Sequence, residues 1–413
     1  MKIVLDTSTD HFYNFGDLAM LRTAVSRIKK LWPDSRIQII TSRADRLPLF
    51  CSDVEPVSAM CRDGLSMSGG NWRRMNRLLR RLRYASHHRL LALATYFRRL
   101  NLPTRYYLSQ EAHRYHQALY EADLIAVPGG SWITDSFYDC SQRILQTLQL
   151  GQLFGKPTVL LGQGIGPLES PSLFSQAKQI LPKVTLIGMR EGQYGPALLE
   201  RIGVPADRIF VTGDDAIELA YRNRAPQLGD SIGVNLRVSS YSRVGEEWIQ
   251  RIQSILRNAA DSLNARFTSI PISLAPGECD AASIASILPE IRQINDNGRL
   301  PMLPEDVVQR VAECRIVICG SYHAAVFALS QGIPAICLTH SDYYFHKFNG
   351  LAGQFGDGCT VVDLAHPQAM EQIRVLIRQY WKNAETFRRP LLAAAEAQIF
   401  ASQDVYRRTK SII

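Results

Sequence analysis

No CxxC pair occurs among the eight cysteines, which are scattered at positions 51, 61, 140, 279, 314, 319, 337 and 359. That spacing argues against a structural zinc module. Several of the thiols fall in apolar strands, so buried, reduced cysteines in a cytoplasmic protein are expected. No uninterrupted apolar run is long enough to span a bilayer. The opening residues, Met1-Lys2-Ile3-Val4-Leu5-Asp6, read as a strand and lack the apolar core of a signal peptide. The dinucleotide fingerprint and the Walker A pattern are both missing. No RRM, KH or zinc-finger pattern is present, so nucleic acid is not expected as a partner. Nor is any short-period repeat visible.

The sharpest local deficit is in acid. Between Asn71 and Gln110 there is no Asp or Glu, against ten arginines at 73, 74, 77, 80, 81, 83, 89, 98, 99 and 105. The charge of this stretch exceeds the +9 of the whole chain, so the rest is close to neutral. Its partner should therefore be local. Leucine clusters at Leu78, Leu79 and Leu82, and again from Leu90 to Phe97, give it helical character in pieces. It reads either as a basic amphipathic surface for anionic lipid or acidic polymer, or as a solvated arginine face.

What is present is a long alternation of strands and helices. At 413 residues and 46% apolar composition the chain is expected to form two domains. Short β-branched runs end repeatedly in glycine or charge: Leu124–Val127 before Pro128-Gly129-Gly130-Ser131, Val159–Leu161 before Gly162-Gln163-Gly164-Ile165-Gly166, Thr185–Met189 before Arg190-Glu191, and Ile209–Val211 before Gly213-Asp214-Asp215. This pattern implies parallel, doubly wound α/β sheets. Residues 221–230 are polar, carry Pro226 and Gly229, and read as a linker. The expected arrangement is two Rossmann-like domains facing a cleft, spanning 1–220 and 231–380. A terminal helix, 381–413, is expected to pack back on their junction. The first loop, through Asn14, Gly16 and Asp17, should feed a helix from about Leu18 to Leu31, with Asp17 as its N-cap.

One stretch concentrates the chemistry, 315–356. Ile316–Cys319 reads as a buried strand, Ser321 as the cap of a helix from Tyr322, and Ala335–Leu338 as the next strand. This βαβ unit puts His323 in a first helical turn at a strand's carboxyl end, where anionic ligands bind in open α/β sheets. The plain alternative is a histidine bonded to a neighbouring loop. Arg237 follows a strand and reads as a carboxylate or phosphate clamp or as a surface ion pair. Lys347, among Tyr343, Tyr344, Phe345 and Phe348, is either snorkelling or aimed at an anion. The glycines of the strand exits permit close backbone approach to a ligand, or mark plain turns. Asp214-Asp215 reads as a capping pair in preference to a metal site.

Taken in order, these motifs resemble the polysaccharide pyruvyl transferase family. The matching pieces are Asn14-x-Gly16-Asp17, Pro128-Gly129-Gly130, Gly162 to Pro167, Arg190-Glu191, Val211-Thr212-Gly213-Asp214, Asn235-Leu236-Arg237, and Tyr322-His323-Ala324 through Gly332-x-Pro334 to Lys347. The resemblance implies a fold similar to the two-domain glycosyltransferases of the B type. It also implies transfer of the pyruvyl carbon from phosphoenolpyruvate to sugar hydroxyls, as a ketal, with release of phosphate. His323 then becomes the candidate acid and Asp17, slightly ahead of Asp214, the candidate base, so His323 and Asp17 are the candidate catalytic residues. Arg237, Lys347, Ser321, Tyr322, Asn14, Gly16, Gly129, Gly130, Gly164 and Arg190 become candidate substrate contacts. The implied chemistry needs no metal or cofactor beyond phosphoenolpyruvate as co-substrate. Its other partner is a saccharide, free or lipid-linked, and the Arg73–Arg105 stretch then suits peripheral contact with an anionic membrane. One position departs from the family: Ser321 stands where many members carry an arginine, leaving Ser321 with helix amides, Lys347 or a distant arginine as substitutes. The competing readings are a nucleotide-sugar glycosyltransferase on the same architecture and a non-catalytic polymer-binding protein.

Overall fold

The computed structural model describes residues 1–7, 12–59, 110–238, 246–289 and 300–413. The arginine-rich stretch, and with it the membrane contact expected through Arg73–Arg105, lies outside the described residues. Among those described, no helix is long and apolar enough to cross a membrane.

Two parallel sheets carry the chain. The first holds β1 (Lys2–Asp6), β2 (Arg36–Thr41), β3 (Val54–Ser58), β4 (Leu124–Val127), β5 (Gly130–Ile133), β6 (Thr158–Ile165), β7 (Leu186–Met189) and β8 (Ile209–Val211). Their order is β3-β2-β1-β4-β6-β7-β8, with β5 beside β6. The second holds β9 (Ser231–Asn235), β10 (Arg266–Ser269), β13 (Cys314–Cys319), β14 (Ala335–Thr339) and β15 (Cys359–Asp363), in the order β10-β9-β13-β14-β15. A small antiparallel hairpin, β11 (Leu274–Ala275) with β12 (Glu278–Cys279), follows β10. Every pairing within the two large sheets is parallel. Helices cover both faces of such sheets, which is why β4 and β6 are buried at every residue.

Strand order reverses between β1 and β4 in the first sheet and between β9 and β13 in the second. Ligand crevices open at such reversals, beyond the carboxyl ends of the strands. The loop after β1 reaches the second sheet directly. Phe15 N donates to Ile272 O at 2.9 Å and Leu274 N to Tyr13 O at 3.0 Å, with a backbone bridge between Asn14 and Ser273.

Three local details add to the sequence reading or correct it. The first helix spans Phe15–Leu31, and its N-cap is Asn14, whose Oδ1 accepts from Gly16 N at 3.0 Å and Asp17 N at 3.2 Å. Asp17 is thus not the cap, and its carboxylate is left for other partners. β3 carries Pro56, which is tolerated because β3 is an edge strand. Gly130 does not end a strand but opens β5.

The last helix, Ala369–Arg408, runs 40 residues with Pro390 inside. At 1.5 Å per residue it is about 60 Å long, enough to lie along both sheets. Its first half packs Ile373, Ile377, Tyr380 and Ala384 onto the second sheet's core. Its second half reaches the first sheet through a buried polar knot. Asp215 accepts from Arg27 Nη1 at 2.7 Å, Ser402 Oγ at 2.6 Å and Tyr406 Oη at 2.7 Å. Arg27 also pairs with Glu218 at 2.6 Å. Asp215 is therefore an anchor for the terminal helix and not a cap.

Candidate active site

The two strand-order reversals face each other across a small cavity of about 60 Å³. Asn14, Asp17 and Arg190 line it from the first sheet. Arg237, Ser321, Tyr322, His323 and Lys347 line it from the second. The aromatic rings of Trp132, Phe137, Tyr343 and Tyr344 complete the walls. Eight of the twelve sequence candidates thus meet in one place, and the other four, all glycines, sit behind it.

Arg237 is not an open clamp. Its fork is held by Asp280, Nε at 2.5 Å from Oδ1 and Nη2 at 2.9 Å from Oδ2. Asp280 is fully buried and also accepts from Asn235 Nδ2, from the Ile272 and Ser273 amides, and from Ser321 Oγ at 3.3 Å. Ser321 is the N-cap residue of the Tyr322–Ser330 helix, but its side chain goes to Asp280 and not to the helix amides. Its own amide donates to Asn235 Oδ1 at 2.8 Å. This network sets the height of the helix start. Nothing around Asp280 marks it in the sequence, and no earlier signal pointed to it.

Arg190 is built differently. It is 2% exposed, yet its nearest acid is Asp214, with Nη1 3.5 Å from Oδ2. Its Nη2 finds no acceptor among the described residues. The guanidinium lies 4.1 Å from the centre of the Tyr322 ring, a favourable cation–π distance. Lys347 Nζ lies 5.1 Å from the same ring and donates to Tyr343 Oη at 2.9 Å. Burial pushes the Lys347 pKa well below the usual lysine value, and Arg190 adds to the shift, while Asp17 and Asp214 oppose it. The Tyr322 hydroxyl is buried without a partner among the described residues, and its pKa is raised by that burial.

His323 crosses to the first sheet. Its Nε2 is 3.7 Å from Asp214 Oδ2, just beyond hydrogen-bond reach. Its ring packs against Gly16, where an added Cβ would stand 2.0 Å from Cγ and Nδ1. Only glycine fits there. Asp214 caps the next helix through Ala216 N at 2.8 Å. Burial pushes the Asp214 pKa up, but His323 and Arg190 outweigh it and hold the group below 3.8. Asp17 behaves oppositely: desolvation raises it above 3.8 despite His323, Lys347 and Arg190. Asp17 makes no side-chain hydrogen bond or ion pair with any described residue.

Gly129, Gly130 and Gly164 do not line the cavity. Each makes room for a side chain that matters more. A Cβ at Gly164 would stand 2.7 Å from Arg190 Nε and 2.8 Å from Ser131 Oγ. One at Gly129 would meet Met20 Sδ at 2.5 Å, and one at Gly130 would meet Trp132 Cδ1 at 2.5 Å. Glu191, beside Arg190, caps the Tyr194–Ile202 helix through the Gln193 and Tyr194 amides at 2.7 and 2.9 Å. Among the described residues no group of three or more His, Cys, Asp or Glu side chains is placed to hold a metal ion.

Solved structures with the same two-sheet architecture include UDP-GlcNAc 2-epimerase from Neisseria meningitidis bound to UDP-GlcNAc, with TM-score 0.57, 12% identity and 100% of both chains covered. Anabaena HepE in complex with UDP gives TM-score 0.55 at 14% identity, again over 100% of both chains. A glycosyltransferase from Rickettsia africae gives 0.51 at 11%, covering 100% of this chain and 97% of that one. At these identities the likeness is one of fold, that of the B-type glycosyltransferases and related epimerases. No curated protein matches the sequence. The profile of the polysaccharide pyruvyl transferases, by contrast, matches residues 14–342. That span starts at the helix cap beneath His323 and runs past the Tyr322–Ser330 helix, covering both sides of the cavity; the chain belongs to the polysaccharide pyruvyl transferase family.

Proposed function

We propose that this transferase moves the pyruvyl carbon of phosphoenolpyruvate onto two hydroxyls of a saccharide, closing a cyclic ketal and releasing phosphate. One observation carries the reading: a buried Arg190 keeps an unpaired Nη2 beside Lys347 in the cavity that holds His323. An unsatisfied buried donor costs about 1–3 kcal/mol, which a bound anion offsets. Phosphoenolpyruvate brings two anionic ends, one to the Arg190 guanidinium and one to Lys347, whose charge a bound anion favours against the burial that lowers its pKa. Arg190, arriving from the facing sheet over Tyr322, does the work of the arginine that Ser321 replaces.

The chemistry then divides among the lining groups. The methylene carbon takes a proton from His323, and the adjacent carbon becomes electrophilic. One sugar hydroxyl adds there, losing its proton to Asp17. The carbon–oxygen bond to phosphate breaks, and the second hydroxyl closes the ring. Of the two hydroxyl protons, one is accounted for by the new methyl group and one by the released phosphate. The Asp214 carboxylate, fixed by the Ala216 amide, keeps Nε2 of His323 turned across the cleft. Arg237 supports this arrangement through Asp280 and adds positive potential.

The test is phosphate release from phosphoenolpyruvate plus acceptor. His323→Gln should lower kcat by about 10²–10⁴. Near wild-type turnover would remove His323 from the chemistry. A nucleotide-sugar glycosyltransferase shares the fold, and Anabaena HepE holds UDP. Thermal shift separates the two. Phosphoenolpyruvate should raise Tm, while UDP and UDP-GlcNAc leave it unchanged; the reverse result would replace this reading.

A further inference from the structure

One part of the cavity is unused by the donor chemistry. Trp132, Phe137 and Tyr343 form a continuous aromatic wall. Trp132 and Phe137 meet edge-on at 5.0 Å between ring centres, and Phe137 meets Tyr343 at 5.6 Å. The wall joins the two sheets, since Trp132 lies on β5 and Tyr343 on the helix Asp342–Phe355. Its far end touches the donor cations, because Tyr343 Oη accepts from Lys347.

Trp132 is held with care. Ser141 Oγ accepts from the Thr134 amide at 2.8 Å and donates to the Trp132 carbonyl at 2.6 Å, fixing the strand from behind. Gly130 leaves the space that the indole fills: a Cβ there would stand 2.7 Å from Nε1. The indole Nε1 is nonetheless buried without an acceptor among the described residues. Tryptophan only donates, so this N–H calls for an oxygen. A flat apolar ring face beside an unanswered N–H suits a group with C–H bonds on one side and oxygens at its edge.

We infer that the Trp132–Phe137–Tyr343 wall is the acceptor subsite: a pyranose ring stacks on it, and Trp132 Nε1 donates to a sugar oxygen. This rests on the pyruvyl transfer reading and extends it by dividing the cavity. Arg190, Lys347 and His323 form the donor end. The wall forms the acceptor end, and Asp17, without a side-chain partner among the described residues, lines the cavity with both. Acceptor choice is then set by which pyranose presents two hydroxyls toward His323 while stacked on Trp132.

The test uses saturation-transfer NMR with the methyl glycosides of glucose, galactose and mannose, with and without phosphoenolpyruvate. Wild-type protein should saturate the C–H protons of one sugar face. Trp132→Ala should weaken binding of that glycoside by about fivefold or more, and Trp132→Phe by less, because it keeps the ring and loses the N–H. Phosphoenolpyruvate affinity, measured by calorimetry on the same samples, should stay within about twofold of wild type. Unchanged glycoside signals in both variants would overturn the subsite. So would the absence of any glycoside signal in wild-type protein that binds phosphoenolpyruvate. If phosphoenolpyruvate fails to bind wild-type protein, the donor reading falls, and the glycoside comparison still decides the wall. Trp132→Phe guards against a folding defect in Trp132→Ala.

Discussion

Arg190 and Arg237 occupy matching places. Each follows a parallel strand of its own sheet, each lies on the cavity, and both are almost fully buried. Yet Arg237 is locked to Asp280 by two short bonds, whereas Arg190 touches Asp214 only at 3.5 Å and keeps Nη2 unpaired. The difference lies in what stands opposite. The β11–β12 hairpin delivers Asp280 to Arg237. Arg190 is met by an aromatic ring and by an aspartate already engaged with a helix amide. A guanidinium with a satisfied fork holds structure; one with an open fork is ready for an anion.

Exchanging each arginine in turn is the strongest way to break this comparison. Arg190→Gln should lower kcat/KM for phosphoenolpyruvate by about 10²–10³, with little change in the denaturation midpoint. Arg237→Gln leaves Asp280 as a buried charge without its counter-ion. It should destabilise by about 3–5 kcal/mol in urea unfolding, and adding Asp280→Asn, which removes the charge but keeps an oxygen for the Ile272 and Ser273 amides, should recover part of that. If Arg190→Gln unfolds the protein, or Arg237→Gln costs only donor affinity, the assignment of roles is reversed.

The sequence could name both arginines but not tell them apart. Strand exits, glycine punctuation and the His323 helix are local signals, so the alternation of elements and the gathering of Asn14, Asp17, Ser321, Tyr322 and Lys347 were legible. Partnerships over long separations were not. Asp280 lies 43 residues from Arg237 and follows a hairpin without a motif. The same limit hid the cap exchange between Asn14 and Asp17, since both residue types cap helices well and only geometry chooses. It also hid Trp132, because Gly129-Gly130 drew attention to backbone approach when the glycine serves an indole. Ser321 is instructive in the other direction. The missing arginine was visible as a gap, but the replacement proposed for it, Arg190, stands on the opposite sheet, which no local pattern encodes.

Gly16 sharpens the contrast between structural and open groups at a second position. It lies in the first turn of a helix, so alanine there should favour the helix by about 0.5–1 kcal/mol. The three atoms nearest an added Cβ all belong to His323, ring Cγ and Nδ1 at 2.0 Å and Cβ at 2.6 Å. Gly16→Ala should therefore lower kcat by about tenfold or more by displacing the imidazole. Combined with His323→Gly, which also removes the His323 Cβ that would stand 2.6 Å away, it should cost no more than His323→Gly alone. Loss of stability that persists in the double variant would mean that Gly16 serves the backbone and not the histidine.

The smallest expected effect concerns the two carboxylates, which repeat the arginine contrast with opposite sign. Asp214 is held below 3.8 by His323 and Arg190, which outweigh its burial, so its charge contributes stability above its unfolded pKa. That contribution is lost as pH falls through the depressed folded value. Asp17 is raised above 3.8 by desolvation, so its ionisation costs stability at neutral pH. The cost disappears in acid, once the group is protonated in both folded and unfolded chains. Asp214→Asn should therefore lower the urea midpoint near pH 7, and Asp17→Asn should raise it. Both differences should shrink toward wild type near pH 3. Asp17→Asn should meanwhile slow phosphate release, since a group kept at a cost in stability is being kept for the reaction. A variant at position 17 that is more stable and equally active would leave the base of the reaction to be found elsewhere on the cavity wall.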